Sequence, residues 1–192
     1  MARRNSRMLP LGTPAPHFAL PDTLTGRAVA LEDMASSPAL LVAFLCNHCP
    51  YVKHILDGFV TFARDFAPRG LAVVAISSND VASHPDDAPA EMSRIARLRA
   101  FAFPYLYDES QQVARAYQAV CTPDFFLFDR DRRLVYRGQF DASRPGNGVA
   151  VTGADLRAAS DAVLRGEAVP PQQTPSVGCS IKWKTGQEPQ WA

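Results

Sequence analysis

The chain has 192 residues, 47% of them hydrophobic and 20% charged, with a formal net charge of +1. That length suits one domain able to bury roughly 70% of its unfolded surface, and the apolar fraction rules against an intrinsically disordered chain. A near-neutral balance argues against a dedicated nucleic-acid binder, and four cysteines are too few for a disulfide-stapled secreted scaffold.

Residues 1–10 are basic, with three Arg and no apolar stretch behind them, so they are expected to be a flexible tail rather than a secretory signal. No run approaches the ~18–20 apolar residues of a membrane-spanning helix. The expected compartment is the cytoplasm, where reducing thiol pools make two close cysteines catalytic or metal-binding rather than structural.

Phe18-Ala19-Leu20 and Val29-Ala30-Leu31, separated by turn residues, predict an extended pair. Ala39 to Leu45 is a continuous apolar run, as in a central strand covered on both faces. Cys46-Asn47-His48-Cys49-Pro50 follows it directly. Val52, Ile55, Leu56, Phe59, Val60, Ala63 and Phe66 then recur at helical spacing until Pro68-Arg69-Gly70. Leu71 to Ile76 predicts a second buried strand, and strand-helix-strand implies parallel pairing.

A polar loop over 79–88 precedes a helix that Asp87 and Pro89 are expected to open and that carries Met92, Ile95 and Leu98. Tyr105-Leu106-Tyr107 is short and extended, and Asp108 or Ser110 caps the helix bearing Val113, Ala114 and Tyr117. After Cys121-Thr122-Pro123 a hairpin is expected, with strands Phe125–Phe128 and Leu134–Phe140 around a charged, solvated turn through Arg130, Asp131, Arg132 and Arg133. Thr152-Gly153-Ala154-Asp155 approximates a capping box for a last helix ending at Gly166. The segment 167–192 is a C-terminal extension containing Cys179, and Ile181 and Trp183 alternate with polar neighbours as in a docked strand. The whole is mixed α/β.

The Cys-x-x-Cys at the strand-to-helix junction is the most specific signal. The thiolate, not the thiol, is the nucleophile, and a helix N-terminus favours the anion through unpaired N–H groups and the macrodipole. Two intervening residues let the second sulfur reach the first, so attack on a substrate disulfide is followed by intramolecular release. Pro50 suits the first helical turn, and a protonated His48 would favour the thiolate further. Zinc sites usually pair two close couples, whereas Cys121 and Cys179 are single and distant. Haem attachment needs His directly after the second Cys, where Pro50 stands. No phosphate-binding glycine loop or Ser-His-Asp grouping occurs. The sequence calls for no cofactor and no resident metal.

The order of elements, the Cys-Asn-His-Cys-Pro junction and Thr122-Pro123 before the hairpin resemble a thioredoxin-fold protein. The opening Leu-Gly-Thr-Pro-Ala-Pro-His-Phe-Ala-Leu-Pro-Asp is similar to the redoxin branch, which includes peroxiredoxins and alkyl hydroperoxide reductase. The likeness spans roughly residues 11–166, and Pro175 to Lys184 resembles the tail of one thioredoxin-like subgroup. It implies a central mixed sheet flanked by helices, with an N-terminal hairpin and the C-terminal extension.

By the same resemblance, Pro123 matches the cis-proline that faces the redox pair, with Thr122 offering backbone to a substrate strand. Aligned on the apolar strand, Cys49-Pro50 falls where the family has its nucleophile and first helical residue. Cys49 is therefore expected to attack and Cys46 to resolve, with Asn47, His48, Pro50, Thr122 and Pro123 shaping the site. Partners would be protein or small-molecule disulfides and thiols plus an electron donor, without nucleic acid or membrane. The same register resembles the peroxidatic Cys-Pro of peroxiredoxins, but Pro123 takes the place of their arginine and Cys46 that of their threonine. Disulfide exchange is thus expected over peroxidase chemistry, and a metal-binding role using the same sulfurs and His48 is a third reading. Cys121 and Cys179 are candidate accessory thiols, Cys121 otherwise a core residue. His17, His54 and His84 are expected to face solvent.

Overall fold

In a computed structural model, which describes residues 3–191, a five-stranded sheet forms the centre. Its middle strand is β4, Ala39–Phe44, every residue of which is buried. Side chains alternate along a strand, and here Ala39, Leu41 and Ala43 enter one core while Leu40, Val42 and Phe44 enter the other. Both faces are covered, so the apolar run needs no polar side.

The remaining elements in chain order are β1 (Arg3–Asn5), β2 (Ala19–Pro21), β3 (Ala28–Ala30), α1 (Pro50–Phe66), β5 (Leu71–Ser77), α2 (Pro89–Leu98), β6 (Tyr105–Tyr107), α3 (Gln112–Ala116), β7 (Cys121–Thr122), β8 (Asp124–Phe128), β9 (Leu134–Tyr136), α4 (Ala154–Leu164) and β10 (Val177–Ser180). The central sheet runs β6-β5-β4-β8-β9, parallel across β6, β5 and β4 and antiparallel beyond. Helix α1 lays Val52, Ile55, Phe59, Phe62 and Phe66 on one face beside residues of α2 and α4, and α3 covers the other with Phe18 and Leu20. The expected N-terminal extended pair is the hairpin β2–β3.

Several expectations change. Residues 3–5 are not a free tail but pair with β10, Arg3 opposite Cys179, and Ser6 N–H donates to the Ser176 carbonyl at 2.8 Å. This pairing uses main-chain groups of an exposed Arg-Arg-Asn strand, which hydropathy does not report. Met1, Ala2 and Ala192, also assigned to tail and extension, lie outside the described residues. The second hairpin strand stops at Tyr136, because Arg137 turns into a buried ion pair with Asp124. Asp155 does not complete a capping box; it accepts from Gln139 Nε2 at 2.6 Å, and Gly153 caps α4 in the left-handed region. Arg132 is not simply solvated: its guanidinium donates to the Ser37 and Met34 carbonyls. Asp108 and Ser110 share the α3 start, accepting from the Ala114 and Gln112 amides.

The C-terminal extension folds back, and β10 lies between β1 and β7. A Cβ added at Gly178 would stand 2.0 Å from the Thr122 carbonyl oxygen, an impossible approach between backbones. Gly178→Ala is therefore expected to lift β10 from β7 and speed protease cleavage after residue 170; unchanged cleavage in limited proteolysis would contradict this close packing.

Candidate active site

The redox pair sits where β4 hands over to α1. Cys49 is the N-cap of α1 with extended backbone, and Pro50 opens the helix where its missing N–H costs nothing. Both cysteines are buried, Cys49 at 0% and Cys46 at 1% exposure, and both are free thiols. Thr122-Pro123 is cis and faces them. Cys46 Sγ lies 3.1 Å from Thr122 Oγ1, and the Cys49 thiol, when protonated, donates to the Thr122 carbonyl at 3.2 Å. The structure thus brings together Cys46, Cys49, Thr122 and Pro123.

A third sulfur joins them. Cys179 on β10 stands opposite Thr122 and is 3% exposed. The Cys46 thiol beside Cys49 lowers its pKa to about 5 against the effect of burial, helped by the Cys179 thiol and the Val52 and Cys179 amides. These donors outweigh the single Thr122 carbonyl, which favours the thiol. Burial, the Cys49 sulfur and the Asp87 charge push Cys46 well above the ordinary thiol range. Burial and Cys49 push Cys179 up to about 12. One sulfur therefore holds the negative charge, and its two neighbours hold the protons. Thiolate ultraviolet absorbance in the reduced protein is expected to show one thiolate appearing near pH 5, lost in Cys49→Ser; no absorbance below about pH 8 would contradict the assignment.

Sequence reasoning put Asp87 at the opening of α2, whose N-cap is Ala88 instead, and missed its part in the site. This buried carboxylate accepts from the Asn47 amide at 2.7 Å, the His48 amide at 3.1 Å, Asn79 Nδ2 at 2.7 Å and His48 Nδ1 at 2.6 Å. Although burial opposes ionisation, the His48 and Asn79 hydrogen bonds keep its carboxyl below the usual range. Asp87 thereby pins the loop between the cysteines. His48, expected to support the thiolate, is instead turned to Asp87, and its ring lies 4.6 Å from that of His84. His84 and His54 are half-buried rather than solvent-facing, His54 Nε2 lying 2.7 Å from Ser143 Oγ, whereas His17 is exposed beside Glu32. No local spacing announces Asp87, 39 residues beyond His48.

Cys46, His48 and Asp87 place donor atoms within 4.8 Å of one another. A carboxylate has about four lone-pair sites, and those of Asp87 are filled by the four N–H donors, which leaves this trio a poor metal cage. Cys121 is buried, its thiol donating to the Pro123 carbonyl at 3.7 Å, so it supports the turn from behind. Cys46 also borders a cavity of about 210 Å³ walled by Leu45, Val52, Leu56, Ile95 and Phe101.

The family model described as AhpC/TSA matches residues 11–137. The structure is similar to that of an uncharacterized conserved protein from Geobacillus kaustophilus (53% identity, TM-score 0.95), covering 97% of this chain and 98% of that one. It is equally similar to a hypothetical protein from Sinorhizobium meliloti (54% identity, TM-score 0.93), with 95% and 99% covered. A thiol:disulfide interchange protein of the thioredoxin family from Chlorobium tepidum shares the fold at 17% identity and TM-score 0.62, with 82% of this chain and 99% of that one covered. A search of curated proteins gives no match.

Proposed function

Because the chain belongs to the AhpC/TSA family, a redoxin branch of the thioredoxin-like fold, we propose that it is a thiol-disulfide oxidoreductase working through Cys46 and Cys49. The observation that carries this reading is the geometry at the start of α1, where Cys49 caps the helix and both sulfurs meet Thr122 of the cis Thr122-Pro123 turn, Cys46 at 3.1 Å from its hydroxyl and Cys49 at 3.2 Å from its carbonyl; the lowered Cys49 and raised Cys46 agree with it. The Cys49 thiolate attacks a substrate disulfide, forming a mixed disulfide and releasing one substrate thiolate. Cys46 gives up its proton to that leaving group and attacks Cys49 Sγ, expelling the second substrate thiolate and closing the Cys46–Cys49 disulfide. A dithiol donor restores the reduced pair. Asp87 and its hydrogen bonds to Asn47 and His48 hold the loop so that Cys46 stays within reach.

Insulin-disulfide reduction by wild type, Cys46→Ser and Cys49→Ser tests the reading, and equal rates in all three would overturn it. Peroxide reduction is the nearest rival. A guanidinium that could polarise a peroxide is wanting at the expected place, since Pro123 stands there and the nearby Arg137 is engaged by Asp124. Stopped-flow mixing with hydrogen peroxide is expected to show only the slow reaction of a thiolate that has no group to polarise the peroxide. A metal-binding reading draws on the Cys46, His48 and Asp87 trio, but the filled acceptor sites of Asp87 oppose it; stoichiometric metal in elemental analysis of the purified protein would revive it.

A further inference from the structure

Cys179 is placed on the redox pair by a strand, not by chance proximity. In an antiparallel ladder, residues directly opposite carry their side chains on the same face. Thr122 is opposite Cys179, and the Thr122 hydroxyl reaches Cys46 at 3.1 Å, so the Cys179 side chain projects to the side where the pair lies. Cys46, Cys49 and Cys179 accordingly share one buried cluster. The strand is fixed on both sides of Cys179. Ser176 Oγ donates to the Pro123 carbonyl at 2.7 Å, and the Lys182 amide donates to Asn79 Oδ1 at 2.8 Å. Gly178, having no side chain, lets this register close tightly on Thr122.

We propose that Cys179 is a second resolving thiol, so that the oxidised protein exchanges a Cys46–Cys49 disulfide for a Cys49–Cys179 disulfide. The inference rests on the exchange chemistry assigned above and extends it to a third sulfur. In the step, Cys179 loses its proton and attacks Cys49 Sγ. The Cys49–Cys179 bond forms, the Cys46–Cys49 bond breaks, and its electron pair stays on Cys46, which takes the proton. Two thiol equivalents remain oxidised throughout, so no external oxidant or reductant enters the exchange. Its consequence is positional. In one form β10 is held to β7 by hydrogen bonds alone, and Cys46 is tied up. In the other β10 is bonded to the start of α1, and Cys46 is a free thiol at the cavity wall.

The test is oxidation of wild type and Cys46→Ser with diamide, then alkylation, non-reducing digestion and mass spectrometry. Cys46→Ser is expected to yield a Cys49–Cys179 linked peptide. Wild type is expected to yield both linkages, in a ratio that stays constant across glutathione buffers of different poise, because the exchange moves no net electrons. Wild type alone suffices should the variant fold poorly, which far-UV circular dichroism reports. No Cys49–Cys179 peptide from either protein, while wild type reduces insulin, overturns the third-thiol inference alone. Absence of insulin reduction with the linked peptide present supports the bond and overturns the wider exchange reading.

Discussion

Cys49→Ser is expected to bring insulin-disulfide reduction down to the level of buffer, while the wild-type rate of thiolate attack stays flat from about pH 8 to about pH 6 and halves near pH 5. At pH 7 an ordinary cysteine, with a pKa of about 8.5, is roughly 3% thiolate, whereas Cys49 is about 99% ionised. The roughly 30-fold gain in anion is nearly cancelled, because a Brønsted slope of about 0.4–0.5 over about 3.5 units lowers intrinsic nucleophilicity about 25- to 55-fold. At about pH 5.5 the anion gain rises to roughly 750-fold, and a net advantage of roughly 10- to 30-fold remains. The advantage of the site is thus greatest in acid. Initial rates against a small disulfide from pH 5 to pH 8 check this, and a rate falling tenfold per unit below pH 8 would refute it.

The same lowered pKa bears on the direction of electron flow. A stabilised thiolate favours the reduced protein and makes Cys49 a good leaving group, as in strongly oxidising members of this fold, so the potential is expected above the about −270 mV of thioredoxin. The linkage has a definite sign. A depressed folded-state pKa contributes stability that is complete above the ordinary thiol value and is lost as pH falls through about 5. Equilibration with glutathione buffers measures the potential, and a value at or below that of thioredoxin would contradict the charge split.

The legible part of this protein was local. Cys46, Cys49 and Pro50 lie in five consecutive residues between an apolar run and a helical stripe, and Thr122-Pro123 precedes a hairpin. Each is a signal carried by neighbours in the chain, and the structure brings them together. Asp87 was illegible because its role comes from four hydrogen bonds to residues that only folding collects. Lacking it, the sequence suggested that His48 would serve the sulfurs; the buried carboxylate captures the imidazole instead. Arg3–Asn5 was illegible for a different reason, since exposed charged residues contribute to the sheet through backbone alone. The docking of β10 was half legible: alternation at Ile181 and Trp183 predicted a docked strand, but the strand is Val177–Ser180 and ends just before them, and the closeness that Gly178 permits fixes where it sits.

Arg137→Met is expected to cost about 3–5 kcal/mol, because it leaves the Asp124 carboxylate buried without its counter-charge. For a chain of this size that lowers Tm by roughly 6–20 °C at neutral pH. Both side chains of the pair are fully buried, Arg137 Nη2 donates to Asp124 Oδ2 at 3.1 Å, and the guanidinium carbon lies 3.6 Å from the Phe126 ring centre. Arg137 Nε also donates to the Arg7 carbonyl at 3.1 Å, so one side chain ties the segment after β1 to the hairpin. Asp124 directly follows Pro123, and loosening it loosens the turn that faces the cysteines, so insulin reduction is expected to fall along with stability. Burial already pushes the Asp124 carboxyl up despite Arg137, and removing the guanidinium pushes it further. The deficit should therefore shrink as pH falls and Asp124 takes up a proton, since a neutral carboxyl needs no counter-charge. Pairing Arg137→Met with Asp124→Asn is expected to recover much of the loss, because the buried charge is then gone as well. Thermal unfolding of the reduced single and double variants at two pH values measures each of these effects, and a single variant as stable as wild type at neutral pH would show that the pair does not hold the turn.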